Sequence, residues 1–569
     1  MYMPSIRSLS LCLFFVASSL SVPTSESHAD QQVLLATNAH SSQLKESTFI
    51  SRICGGIIEA VWPYYKSSPS RNSQSPTTSA RASKLQSRYG DDVVLRFKIK
   101  TEEEAKQFAE AVDTLFLDVW EASKDWADVR ISKKVLPSFM TLLPESMQQS
   151  HTPIITQLSK AVLDTFPATG DSQDERFRPG SGMPHDLFFE NYQPLSVIYP
   201  WLRQLASMFP DRTQLFTIGT SFEGRDIPAL RIGVEPSDDD PHKDEKRHTI
   251  VITAGSHARE WISVSTATYL LRGLLHNFDP HHHDTIEKLL THYDFIFVPI
   301  LNPDGYEYTW TTDRLWRKNR QDTSLPFCRG IDLDRSFPFG WDGDTQADNP
   351  CSESYAGEHA LQGLEAHRLA EWALNETDKG DRIFSAFIDL HSYSQEILYP
   401  YSYTCDKQPH NLEDLEELAI GLAKAYRLTA GHYYGVDSAC EGAVTLTTPG
   451  STKNSEPVRT NVELSGGSAL DFFYQNMTVK YAFQIKLRDT GSYGFLLPRE
   501  NIVPTGIETF NAFLGLGKWL LGNRGIEGYT SLTPDETWGQ EELIVNETGE
   551  TNDVSDEDDD GFWWRRRKR

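Results

Sequence analysis

The sequence predicts an α/β fold in which helices cover a central sheet, preceded by a smaller α+β unit. Three observations carry that reading. Apolar strands at 249–253, 295–299, 384–390 and 481–487 alternate with helical runs at 261–275 and 412–428, and such alternation builds a sheet covered on both faces. The chain has 569 residues, room for two to four domains at ~150 residues each. Hydrophobic residues make up 39% and charged residues 24%, a globular mix that excludes a wholly disordered chain and a multi-span membrane protein. The formal net charge of −26 repels phosphate backbones, so no nucleic-acid partner is expected.

Taken in order, Arg7 precedes an apolar run from Leu9 to Leu20, with small residues at Ser19-Leu20-Ser21. This is the pattern of a secretory signal peptide over residues 1–21. The run is too short to span ~30 Å of hydrocarbon, and no later stretch is long and apolar enough, so no membrane span is expected. A secreted or vacuolar protein made in an oxidising compartment follows. In that setting the sequons at Asn375, Asn476 and Asn546 are candidate glycan sites.

Residues 22–90 read as a variable N-terminal segment. Within it, Phe49, Ile50, Ile53, Ile57, Ile58 and Val61 fall at helical spacing. Residues 66–88 are rich in Ser, Pro, Arg and Gln, lack an apolar period, and read as a linker or variable loop. Residues 91–170 form the small α+β unit. Val93 to Ile99 alternates as a strand, and Thr101-Glu-Glu-Glu104 opens a helix with acid in its first turn. Ala105, Phe108, Ala109, Val112 and Leu115 supply that helix's buried face, and residues 127–131 read as a second strand. Residues 171–185, with Arg176 and Arg178, read as an exposed linker that a protease can cut. Residues 186–525 are the main domain. Residues 526–569 form a charged tail, acidic from Glu547 to Asp560 and basic from Arg565 to Arg569, which reads as solvated and disordered.

The chemistry lies at strand ends. His257-Ala-Arg-Glu260 directly follows the apolar run from His248 to Ala254. His and Glu at this spacing offer a metal one nitrogen and one carboxylate. His391 ends another apolar strand, and side chains at the carboxyl ends of neighbouring strands converge on one crevice. Two nitrogens and one carboxylate leave a zinc ion an open position. The histidines at His281-His-His283 sit in a polar turn and read as solvated.

These motifs, with others in order, resemble the zinc metallocarboxypeptidases of the pancreatic carboxypeptidase A/B type. The matching pieces are Ser256-His-Ala-Arg-Glu-Trp261, Leu301-Asn-Pro-Asp-Gly-Tyr306, Leu315-Trp-Arg-Lys-Asn319, Gly330-Ile-Asp-Leu-Asp-Arg335, Asn349-Pro-Cys-Ser-Glu-Ser-Tyr355, Asp389-Leu-His-Ser-Tyr393 and Leu487-Arg-Asp-Thr-Gly491. The resemblance covers about 186–521 and, more weakly, reads 91–170 as an activation domain. It implies a mixed central sheet covered by helices, and one zinc ion on His257, Glu260 and His391. It further implies that Arg317, Asp334 and Arg335 surround a peptide's terminal carboxylate. Arg259 would polarise the scissile carbonyl, and Ser392 and Tyr393 would line the substrate cleft. An exopeptidase must recognise a free carboxylate, which a guanidinium matches with two parallel hydrogen bonds. By the same resemblance Cys328 pairs with Cys351. Cys405 and Cys440 form a second pair on weaker grounds, and Cys54 is left over once Cys12 departs with the signal peptide.

Three departures change the functional reading. The family's Glu-Leu-Arg-Asp-Thr-Gly is Lys486-Leu-Arg-Asp-Thr-Gly491 here, so a lysine stands at the general-base position. A protonated ammonium cannot accept a proton, and general acid–base work is worth roughly 10²–10⁴ in rate. Asp334 replaces an Asn that docks the anionic terminus, and Val462 falls where the family carries a Tyr that closes over the substrate. We read the chain as a zinc-binding metallocarboxypeptidase homologue that is catalytically inactive, a pseudo-peptidase acting by binding peptide C-termini or a protein partner. The alternative is an active carboxypeptidase with altered chemistry, in which a neutral lysine serves as the base. The resemblance extends to fungal extracellular or vacuolar carboxypeptidase-like proteins linked to the cell wall, which implies a role in cell wall organisation. Lys486 and Asp334 are expected to offset each other's charge.

Overall fold

The computed structural model describes residues 78–123, 125–167, 187–234, 246–277, 285–341, 349–380, 382–442, 445–446, 462–463 and 466–522. The expected signal peptide, the helix at 49–61, the linker at 171–185, His281–His283, Asn546 and the charged tail lie outside the described residues. No helix among the described residues is long and apolar enough to cross a membrane.

The first described element is a correction. Residues 66–88 are expected to form a linker, yet helix α1 spans Thr78–Tyr89. Leu85 and Tyr89, one turn apart, are the buried anchors. They join a core that includes Leu158 and Val162. Two anchors in twelve residues are too few to display a period.

An antiparallel sheet follows, built from β1 (Asp92–Lys98), β2 (Asp118–Ala122), β3 (Trp126–Ser132) and β4 (His151–Ile155) in the order β2-β3-β1-β4. Helix α2 (Glu102–Leu115) packs its apolar face here. Its start was legible in the sequence. Thr101 Oγ1 accepts a hydrogen bond from Glu104 N at 3.1 Å, and Glu104 reaches back to Lys100 N at 2.7 Å, leaving few amide donors unmet in the first turn.

The larger layer is an eight-stranded sheet. Its strands are β5 (Thr213–Thr220), β6 (Asp226–Ile232), β7 (Arg247–Ala254), β8 (Tyr293–Val298), β9 (Arg382–Ser392), β10 (Glu396–Tyr399), β11 (Gly435–Ser438) and β12 (Tyr481–Leu487), in the order β11-β10-β12-β9-β7-β8-β6-β5. The four central strands β12, β9, β7 and β8 are mutually parallel, and antiparallel pairs flank them, so the sheet is mixed as expected. Central strands buried on both faces read as continuous apolar runs; every residue of β12 is buried. Helices α3 (Trp261–His276) and α4 (Leu412–Ala430) lie against the sheet, and α5 (Ile502–Leu520) packs on both of them. Disulfides join Cys328 to Cys351 and Cys405 to Cys440, with Cα–Cα separations of 4.7 and 5.5 Å. Both pairs agree with the expectation.

Candidate metal centre and cleft

The parallel strands β7 and β9 end side by side, and β12 runs beside β9 with Lys486 opposite His391. Beyond β7 the chain turns at Gly255 (φ +65°), where a Cβ would press on the side chain of Val264. That turn carries His257 across the end of the sheet. Glu260 stands at the N-terminus of α3, but its carboxylate makes no cap there. It faces the two histidines instead.

His257, Glu260 and His391 converge and are all buried. His257 Nδ1 lies 2.8 Å from Glu260 Oε1, and His391 Nδ1 lies 3.2 Å from both His257 Nδ1 and Glu260 Oε2. The far ring nitrogens are held too. His257 Nε2 is 3.0 Å from Asp332 Oδ1, and His391 Nε2 is 3.0 Å from Asp389 Oδ2. An ionised carboxylate only accepts, so each Nε2 carries a hydrogen, and with a metal bound each ring would present its Nδ1 lone pair inward. Two ring nitrogens and a carboxylate oxygen this close need shared positive charge between them, which a metal ion or protons on the rings supply. Two of the three separations, 3.2 Å each, come near the ~3.3–3.6 Å edge of a tetrahedron about an ion bonded at ~2.0–2.2 Å, and the third is shorter. The donor set therefore fits zinc. Burial would raise Asp332, but Arg317 and His257 outweigh it and hold the carboxyl well below its usual range. Asp332 is thus ionised, as an orienting carboxylate must be.

The centre opens on a cavity of about 210 Å³, smaller than the ~300–1,000 Å³ of most small-molecule sites. Its wall includes Arg317, Asp334, Arg335, Ser392 and Lys486. The Cys328–Cys351 disulfide braces the loop that brings Ser352 and Glu353 to the same wall. The other side comes from α2 and β2, which close the cleft over the metal ligands. Arg317 grips Asp332 Oδ2 through Nε at 3.1 Å and Nη2 at 2.9 Å, and Arg335 Nε lies 3.4 Å from the same oxygen. Arg259 Nη1 donates to Asp118 Oδ1 of β2 at 2.9 Å, and its guanidinium lies 4.1 Å from the Phe495 ring centre. Its Nε and Nη2 find no hydrogen-bond partner among the described residues. Tyr393, expected in the cleft, is not part of the cavity wall. Its hydroxyl donates to Asp128 of β3 at 2.8 Å and its ring packs edge-on to Phe495.

Residues 198–512 match the family model described as Zinc carboxypeptidase. The chain belongs to the zinc carboxypeptidase family. The protein named Inactive metallocarboxypeptidase ECM14 from Ajellomyces capsulatus (strain NAm1 / WU24) is 53% identical over 482 residues, covering 83% of this chain and 78% of that relative. Its namesake from Paracoccidioides brasiliensis (strain Pb03) is 52% identical over 485 residues, covering 84% and 80%. Among solved structures, thrombin activatable fibrinolysis inhibitor superposes with a TM-score of 0.61 at 24% identity, covering 76% of this chain and 100% of that one. The last likeness shows the fold alone. With such relatives, this zinc carboxypeptidase homologue stands among the catalytically inactive ones.

The surroundings of Lys486 differ from expectation. Asp334 is not its partner. Asp334 Oδ2 accepts from Gln484 Nε2 at 2.9 Å and Oδ1 from Ala469 N at 3.2 Å. Lys486 Nζ lies instead 3.0 Å from Glu121 Oε1 of β2, 3.4 Å from Glu396 Oε2 of β10 and 3.0 Å from the Gly442 carbonyl. The reason is the strand period. Gln484 and Lys486 share one face of β12 but stand ~6.8 Å apart along it, so Asp334 meets the first and the glutamates meet the second. Burial alone would lower the lysine's pKa, but Glu121 and Glu396 outweigh it and hold the ammonium above the ordinary lysine range.

Four residues of the site escaped the sequence reading. Asp332 and Asp389 lie inside motifs quoted above, and their nearness to the ligand histidines was the available signal. Glu121 and Glu396 carried none, since an acid in a strand looks solvated until its cross-layer neighbour is known. Asn375 and Asn476 are both exposed, as glycan acceptors must be.

Proposed function

We propose that this zinc carboxypeptidase homologue acts by binding rather than by cutting, with one zinc ion held by His257, Glu260 and His391. A zinc ion bound there would supply Lewis acidity. Arg317 and Arg335 present guanidinium groups for a peptide carboxylate, and Ser392 borders it. The observation that carries the reading is the ammonium of Lys486 between two carboxylates. A lysine held in its charged form cannot take a proton from water, so the site lacks its base. The alternative, an active enzyme using neutral lysine, needs the pKa displaced in the opposite direction.

The ligand class is a peptide C-terminus or a protein partner, met in the secretory route, outside the cell or in the vacuole. Two disulfides support an oxidising compartment, and the resemblance to cell-wall-linked fungal proteins supports a role in cell wall organisation. The test is paired. Metal analysis of protein purified without chelator should find about one zinc per chain, as one three-ligand site implies. Hydrolysis of short peptides with apolar C-termini should stay at the buffer rate after residues before about 186 are removed. Turnover by that truncated protein would overturn the reading.

A further inference from the structure

Strand β2 lies over the centre as a ligand would. Asp118 engages Arg259 at 2.9 Å, Glu121 engages Lys486 at 3.0 Å, and the rings of Trp120 and Phe495 pack with centres 5.2 Å apart. Beyond the strand, Asp128 takes the Tyr393 hydroxyl, Arg96 Nη2 donates to the Thr490 carbonyl at 3.0 Å, and Tyr89 donates to Asp313 at 2.6 Å. Most of these contacts leave the hydrolytic machinery untouched. The Lys486 contact does not. A glutamate at that position would put its carboxylate against Glu121 and Glu396 together, so the same side chain that removes the base creates an anchor. Lys486 is buried, and the groups that face its ammonium are Glu121, Glu396 and the Gly442 carbonyl. A buried ammonium left without one of these anions loses much of what offsets its desolvation.

We infer that Lys486 is the docking point of the N-terminal α+β layer on the cleft, and that the layer stays bound when the segment joining it to the main sheet is cut. The occupant is this chain's own β2, with Asp118 and Glu121 as its two anionic contacts. The inference does not depend on whether the metal centre is catalytically silent, because its test reads association and not hydrolysis.

The full chain carries a specific protease site introduced after Arg178 and is cut there after purification. In wild type the two fragments should co-elute on size exclusion at micromolar concentration. Lys486→Met keeps the stem and removes the charge, leaving Glu121 opposite Glu396. It should raise the fragment dissociation constant at least tenfold. Adding Glu121→Gln relieves that repulsion and should recover most of the loss, whereas adding Asp118→Asn should weaken association further. Glu121→Arg, carried by the other fragment, should separate the pieces by setting two cations together. Circular dichroism and zinc content of the large fragment establish that it is folded in each case. Unchanged association in both Lys486→Met and Glu121→Arg overturns the inference, as does immediate separation of the wild-type fragments.

Discussion

Lys486 and Glu121 stand 365 positions apart in the chain, yet the ammonium of one lies 3.0 Å from the carboxylate of the other. Lys486 sits in the central sheet, and Glu121 in the small sheet that covers the cleft. One cation therefore serves two tasks at once. It empties the base position and ties the cover to the centre.

That pairing decides the outcome of the simplest repair. Lys486→Glu restores a carboxylate but gathers three of them around a buried point that has lost its ammonium. We predict no peptide hydrolysis above the buffer rate in the full chain. Stability should fall by about 3–5 kcal/mol, the cost typical of breaking a buried ion pair from one side, read as a lower urea midpoint. Full activity in this variant would show that the cover leaves the cleft readily and that the glutamates reorganise.

The sequence made some of this legible and not the rest, for a physical reason. Strand β12 and the starts of α2 and α3 follow from local periodicity and first-turn chemistry, so their positions agree with the apolar pattern within a residue or two. His257, Glu260 and His391 were readable because parallel strand ends must converge. Helix α1 was missed because two apolar anchors make no pattern. The partners of Lys486 were missed because they depend on the register between β10 and β12 and on how one layer sits on another. Neither is written in the neighbourhood of residue 486.

His391→Ala should reduce bound zinc from about one per chain to below a tenth of that. The ring supplies one of three ligands, and among the described residues no histidine besides His257 and His391 belongs to this ligand group. Elemental analysis after dialysis against metal-free buffer reads the result. Full retention would mean that the ion sits elsewhere.

Asp389→Asn should weaken zinc 10–100-fold, the usual effect of losing an orienting carboxylate behind a ligand histidine. Asp389 accepts from Thr253 Oγ1 at 2.7 Å and faces His391 Nε2 at 3.0 Å. The amide keeps the shape and loses the charge that fixes the ring. Competition with a chromophoric chelator gives the affinity, and an unchanged value would assign Asp389 to packing alone.

Glu121 gives the covered cleft a pH dependence. Burial pushes its carboxyl up to about 7; Lys486 opposes that rise and Glu396 adds to it. The unfolded chain holds this proton only below 4.5, its ordinary value, so between the two values the folded protein binds one proton more. Its contribution to stability is full at the acid end and is lost as pH rises through about 7. Glutamine at 121 has no such proton. The urea midpoint of Glu121→Gln should therefore gain on wild type between about pH 5 and pH 8. A constant difference across that range would contradict the assignment.

Asp334 bears on which ligands the open cleft accepts. Its side chain is fixed by Gln484 and the Ala469 amide, and it borders the cavity beside Arg335. A peptide's terminal carboxylate drawn to Arg317 and Arg335 meets this acid at close range. Burial first, and then Asp389 and Asp332, push the Asp334 carboxyl above its ordinary range, which softens the repulsion without removing the competition for the same donors. Asp334→Asn keeps an acceptor for one of the two donors and offers an amide to the incoming anion. In protein freed of residues before about 186, this variant should bind a short peptide with a free apolar C-terminus about tenfold more tightly than its parent, the scale of one relieved like-charge contact. The same peptide with an amidated C-terminus should show no gain, since it brings no charge to repel. Titration calorimetry with both peptides separates these outcomes. Equal improvement for the two would assign Asp334 a steric role in the wall.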